Sequence, residues 1–100
     1  MNYFVIGDED TVLGFSLVGV FGMQATNAEQ AKQAWDKALD DTENGIIIIT
    51  DLVADMIRPT VDRYLFSESF PLVVEIPSPH GKGKHTDLRT LVNQAIGVSL

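Results

Sequence analysis

The sequence predicts a single small α/β domain of three layers, in which a four-stranded parallel sheet is flanked by helices and followed by a C-terminal amphipathic helix. Two observations carry that prediction. Short apolar runs alternate along the chain with stretches of helical spacing, in the order strand, helix, four times over. The clearest run, Ile46-Ile47-Ile48-Ile49, is β-branched and apolar at four successive positions. A strand apolar on both sides belongs in a parallel sheet covered on both faces.

The elements follow in order. Tyr3 to Ile6 reads as the first strand, and Thr11 to Val18 as a helix carrying Val12, Leu13, Phe15, Leu17 and Val18. Gly19 to Ala25 reads as a second strand, weakened by its glycines. Asn27 with Gln30 three residues later has the form of a capping box. The helix it opens puts Ala28, Ala31, Ala34, Trp35, Ala38 and Leu39 on one face. Asp40 to Gly45 is turn chemistry, and the isoleucine run is the third strand. Thr50 or Asp51 can cap the next helix, whose apolar positions continue across Pro59. Pro59 therefore either kinks one helix or opens a second. Pro71 to Pro77, with a proline at each end, is a fourth strand suited to a sheet edge. "SPHGKGKH" is a loop, Thr86 a possible cap, and Leu88, Leu91, Val92, Ala95 and Ile96 form a final amphipathic stripe.

One hundred residues suffice for one modest core, burying roughly 60–70% of the surface of the unfolded chain. No apolar run approaches a membrane span and no leader stands at the start, so a soluble, cytoplasmic chain is expected. The absence of cysteine removes disulfides, thiolate metal sites and a cysteine nucleophile. The net charge of −7 argues against nucleic-acid binding, because phosphates would be repelled. Its sign changes along the chain. Residues 1–78 are strongly acidic, whereas 79–100 carry Lys82, Lys84 and Arg89 against Asp87. The chain thus reads as an α/β core, 1–78, and a glycine-containing hinge loop with its amphipathic helix, 79–100, which either covers the sheet as part of the same domain or is a mobile tail that docks on another chain.

Candidate chemistry is sparse. Asp8, Glu9, Asp10 and Asp51 fall at the carboxyl ends of the first and third strands, where open α/β sheets hold ligands. Clustered carboxylates of this kind could bind Mg²⁺, as in a stand-alone receiver-like phosphoacceptor module. Against that reading, acids in a first helical turn simply oppose the macrodipole, and Asp51 can be a cap. A receiver also needs a fifth strand followed by a lysine, and neither is present. "GKGKH" fails the phosphate-loop pattern at its first glycine and at its final hydroxyl residue. Gly7 and Gly14 form no dinucleotide fingerprint, and the acids between them would repel a pyrophosphate. His80 and His85 lie five apart without an adjacent acid and make a poor metal pair. No catalytic, cofactor or metal residue is expected.

Taken together, "FVIGDEDTVLGFSLVGV", "TDLVADMIRPTVD" after the isoleucine strand, and "FPLVVEIPSPHG" resemble the F subunit of the V-type and archaeal-type rotary ATPases, from Phe4 to about Ile96. The resemblance implies a receiver-like domain without receiver chemistry. It implies a non-catalytic part of the central rotating shaft, peripheral to the membrane and bound to the coiled-coil D subunit. There it would help couple ATP hydrolysis or synthesis to proton or sodium transport. The expected contact residues are the last helix, Leu88, Leu91, Val92, Ala95 and Ile96 with Arg89 at its rim, and the fourth strand's exit, Glu75, Ile76, Pro77 and Ser78.

Overall fold

The computed structural model describes residues 2–65 and 70–79. The strands are β1 (Asn2–Gly7), β2 (Phe21–Gln24), β3 (Asn44–Thr50) and β4 (Leu72–Ile76). The helices are α1 (Glu9–Ser16), α2 (Ala28–Asp40), α3 (Asp51–Met56) and α4 (Arg58–Leu65). All strand pairs are parallel, in the order β2-β1-β3-β4. The isoleucine strand is therefore central, and the proline-bracketed strand is an edge, as its composition predicts. The expected final helix, with Leu88, Arg89, Leu91, Val92, Ala95 and Ile96, lies outside the described residues.

Local chemistry explains most boundaries. Asn27 Oδ1 accepts from Gln30 N–H at 2.8 Å and starts α2. The reciprocal bond is shifted by one residue from the expected box. Gln30 Oε1 accepts from the N–H and hydroxyl of Thr26, at 2.9 and 2.8 Å, not from Asn27 N–H. The first helix begins two residues before its apolar spacing suggests, because Asp8 caps it and Glu9 and Asp10 fill its first turn. Pro59 does not sit in a kinked continuous helix. The helix breaks at Ile57, and Pro59 is the second residue of α4, where its missing N–H removes no helical bond. Gly22 is obligatory in β2. A Cβ there would lie 1.8 Å from the carbonyl oxygen of Val5 on the neighbouring strand.

Most of the core lies on one side of the sheet; Val5, in register with Ile48, is fully buried on the other. Ile6, Ile47 and Ile49 pack under Ala31, Ala34, Trp35 and Ala38 of α2, with Val53 and Ala54 of α3 and Val61 of α4. Trp35 meets the Tyr64 ring edge-on, with centroids 5.3 Å apart at 74°. Asn44 ties the end of α2 to the start of β3, donating from Nδ2 to Ala38 O at 3.0 Å. On the other side only α1 packs among the described residues, and none of its side chains is fully buried. Tyr3, Leu72 and Val74 on that side are 50, 41 and 46% exposed. No described helix is long and apolar enough to cross a membrane.

Candidate functional site

The carboxyl ends of β1, β3 and β4 bring together the two places that the sequence singles out. From β1 and α1 comes the acidic corner. Asp8 accepts from Thr11 N–H at 3.1 Å and from the Thr11 hydroxyl at 2.6 Å, as a helix cap. Gly7 precedes it because a Cβ would stand 2.7 Å from Thr50 Cγ2. Glu9 and Asp10 are exposed in the first turn.

From β3 comes Asp51, buried at the start of α3. It does not cap that helix. Thr50 holds the cap position and makes no side-chain cap bond. The Asp51 carboxylate instead receives the fourth strand's exit. Its Oδ1 accepts from Ser78 N–H at 3.0 Å, from the Ser78 hydroxyl at 2.6 Å and from Leu52 N–H at 2.7 Å. Charged-acceptor bonds of this kind are the stronger class. A buried carboxylate satisfied by two groups from a residue 27 positions away fixes where the chain leaves β4.

A second clasp lies three residues upstream. Glu75 accepts from Arg58 through both oxygens, at 2.7 and 3.0 Å, a fork-to-fork pair. Arg58 also donates to Asp62 at 3.2 Å and to Asp55. Hydrogen bonding to Glu75, then to Asp55 and Asp62, holds the guanidinium well above its ordinary pKa against an opposing burial effect. Glu75 and Ser78, expected as contact residues, therefore have internal partners that lock β4 to α3 and α4. Ile76 is the last residue of β4 and is half-buried, and Pro77 is exposed.

The Mg²⁺ expectation gains no support. Among the described residues no group of three or more His, Asp or Glu side chains could hold a metal ion. The hollow between Asp8, Thr50 and Ser78 is about 210 Å³ and walled chiefly by Ala25, Leu52, Val53 and Met56. Asp51 is engaged by Ser78 and the Leu52 amide, the opposite of a carboxylate presented to an incoming phosphoryl group. His80 and His85 fall outside the described residues. Sequence reading missed Arg58. Its signal was a cation between Asp55 and Asp62 at helical spacing, but the decisive partner, Glu75, is 17 positions away.

Comparison with known proteins matches the chain to one family. The family described as ATP synthase (F/14-kDa) subunit matches residues 4–92. The F subunit of the A-type ATP synthase from Methanosphaera stadtmanae is 35% identical, over 96% of this chain and 92% of its own length. Those from Methanothermobacter thermautotrophicus and Pyrococcus furiosus are 34 and 35% identical, over 99 and 100% of this chain and 95 and 98% of their own. The chain belongs to the ATP synthase F-subunit family, whose members are one part of a larger assembly and not catalysts in their own right.

Proposed function

We propose that this chain is the non-catalytic F subunit in the central shaft of an A-type or V-type rotary ATPase. It binds the coiled-coil D subunit and helps couple ATP hydrolysis or synthesis to proton or sodium transport, peripheral to the membrane. The observation that carries this reading is the double clasp at the end of β4. Glu75 on Arg58 and Ser78 on Asp51 anchor the point from which the C-terminal segment departs. A torque-bearing contact needs such an anchor, because load applied to the segment must reach the sheet. The net basic segment with its stripe of Leu88, Leu91, Val92, Ala95 and Ile96 is the primary contact. Arg89 at its rim and the 75–78 exit complete it.

The test is binding to the D subunit from the same source by native mass spectrometry, with the full chain and a 1–78 truncation whose folding is checked by circular dichroism. The expected result is a one-to-one complex with the full chain, lost or much weakened with the truncation. A folded truncation that binds as well as the full chain would remove the segment from the interface. Absence of any complex with the full chain would overturn the function.

A further inference from the structure

The hollow at the carboxyl ends of the strands sits at the switch point of the sheet. The chain leaving β1 turns through α1 to β2 on one side, and the chain leaving β3 turns through α3 and α4 to β4 on the other. Open α/β sheets take ligands at such a point. The volume is about 210 Å³. A dry apolar cavity of about 150 Å³ already accepts benzene, so this space suits one ring with a short side chain. Ala25 after β2 and Leu52, Val53 and Met56 of α3 give apolar walls, the usual body of a small-molecule site.

The polar rim is one-sided in its hydrogen bonding. Asp8, Thr26 and Ser78 line it. The Thr26 hydroxyl already donates to Gln30 Oε1 at 2.8 Å, and the Ser78 hydroxyl to Asp51 Oδ1 at 2.6 Å. The amides are spent too. Ala25 N–H donates to Gly7 O, Thr26 N–H to Gln30 Oε1, and those of Leu52 and Ser78 to Asp51 Oδ1. Both hydroxyl oxygens keep lone pairs, and an ionised carboxylate can only accept. None of the described lining residues is a lysine or arginine. The rim therefore offers acceptors.

Thr50 is an independent sign of a ligand. It lines the same hollow and is 1% exposed. Its methyl group lies towards Gly7, where an added Cβ would come within 2.7 Å of it. Its hydroxyl is buried without a hydrogen-bond partner among the described residues, although it holds the cap position of α3. A buried polar group left unpaired is costly, and a ligand that bonds it recovers that cost.

We infer that this hollow binds a small primary amine, its ammonium head among the oxygens of Asp8, Thr26, Thr50 and Ser78 and its apolar body against Leu52, Val53 and Met56. An ammonium carries donors and no acceptor, the complement of this rim, whereas a carboxylate or phosphate would face acceptors. The site stands apart from the shaft contact and does not depend on it. Ser78 belongs both to the rim and to the clasp with Asp51, so the occupant touches the residue that fixes the exit of β4.

The test titrates the isotope-labelled full chain with benzylammonium, benzyl alcohol and benzoate, which share a ring and differ in the head, and follows amide shifts by nuclear magnetic resonance. Benzylammonium is expected to give saturable shifts at Thr26, Thr50, Leu52 and Ser78 with a Kd of about 1 mM, within reach of a ligand this small. Benzyl alcohol should bind about tenfold more weakly, and benzoate should leave these amides unmoved, because hydrogen bonds to a charged group are the stronger class. Thr50→Val keeps the shape and removes the hydroxyl. It should melt no lower than the wild type, since that hydroxyl has no partner to lose, yet bind benzylammonium about fivefold more weakly. Equal affinity for the three heads, shifts that never saturate, or shifts away from the hollow would each overturn the inference. Full-strength binding by a folded Thr50→Val would overturn it as well. The shaft role is read separately, by binding to the D subunit, and survives any of these results.

Discussion

The two faces of the central sheet differ sharply although the central strand is equally apolar on both. Ile47 and Ile49 look towards α2, α3 and α4 and are fully buried. Ile46 and Ile48 look the other way and remain half-buried, beside Leu72 and Val74 on the edge strand. One face holds Trp35, Tyr64 and a tier of alanines that lets α2 approach closely. The other holds α1, a helix without one fully buried residue. Stability is therefore concentrated on one side. Side chains on the other are open to contacts that the described part of the chain does not make, as expected for a member of an assembly.

That contrast can be broken most directly at Trp35. Trp35→Ala removes the largest core side chain and its contact with Tyr64. It should cost about 3–5 kcal/mol, read as a fall in the denaturation midpoint at unchanged slope, or leave the domain unfolded. Arg58→Ala should cost about 1.5–3 kcal/mol, because it strands Glu75, Asp55 and Asp62 without their shared cation. The sign of its pH dependence follows from the raised pKa of Arg58. Stability from a base with a raised folded pKa is complete below the unfolded value and is lost only as pH rises through the folded one. The penalty of Arg58→Ala measured by urea unfolding should thus be the same at about pH 6 and about pH 9, both below the ordinary arginine value. Ser78→Ala deletes the hydroxyl bond to Asp51 but keeps the Ser78 N–H bond. A loss of about 1 kcal/mol is expected, with faster amide exchange at residue 78. The open face should respond least. Val74→Ser should change stability by under about 0.5 kcal/mol, as for other exposed positions. A loss as large as that of Trp35→Ala would show that Val74 is as well packed as the buried face.

Signals confined to a few neighbouring residues were legible in the sequence. Four isoleucines between a turn and a cap site define the central strand. The spacing of Ala31, Ala34, Trp35 and Ala38 names the buried face of α2 before any coordinates. Asn27, Gln30 and the paired prolines around β4 mark their boundaries because caps and missing amides act within one turn or one strand. The "GDEDTVLG" corner reads equally as metal site or helix start until Asp8 is seen bonded to Thr11.

What lies between elements was settled only by the folded chain. Periodicity names an apolar face without saying what covers it, so Ile47 and Ile48 look identical in the sequence and differ in the fold. The pairs Arg58–Glu75 and Asp51–Ser78 join residues 17 and 27 positions apart. Strand order, set by crossovers and not by local propensity, brings β4 beside β3 and makes both pairs possible. The elements and the buried side of α2 were already written into the residue order, because backbone propensity and side-chain spacing are local. Which acids became clasps and which stayed at a solvent-facing rim was a matter of packing, because a carboxylate's role depends on the donor that the folded chain delivers to it.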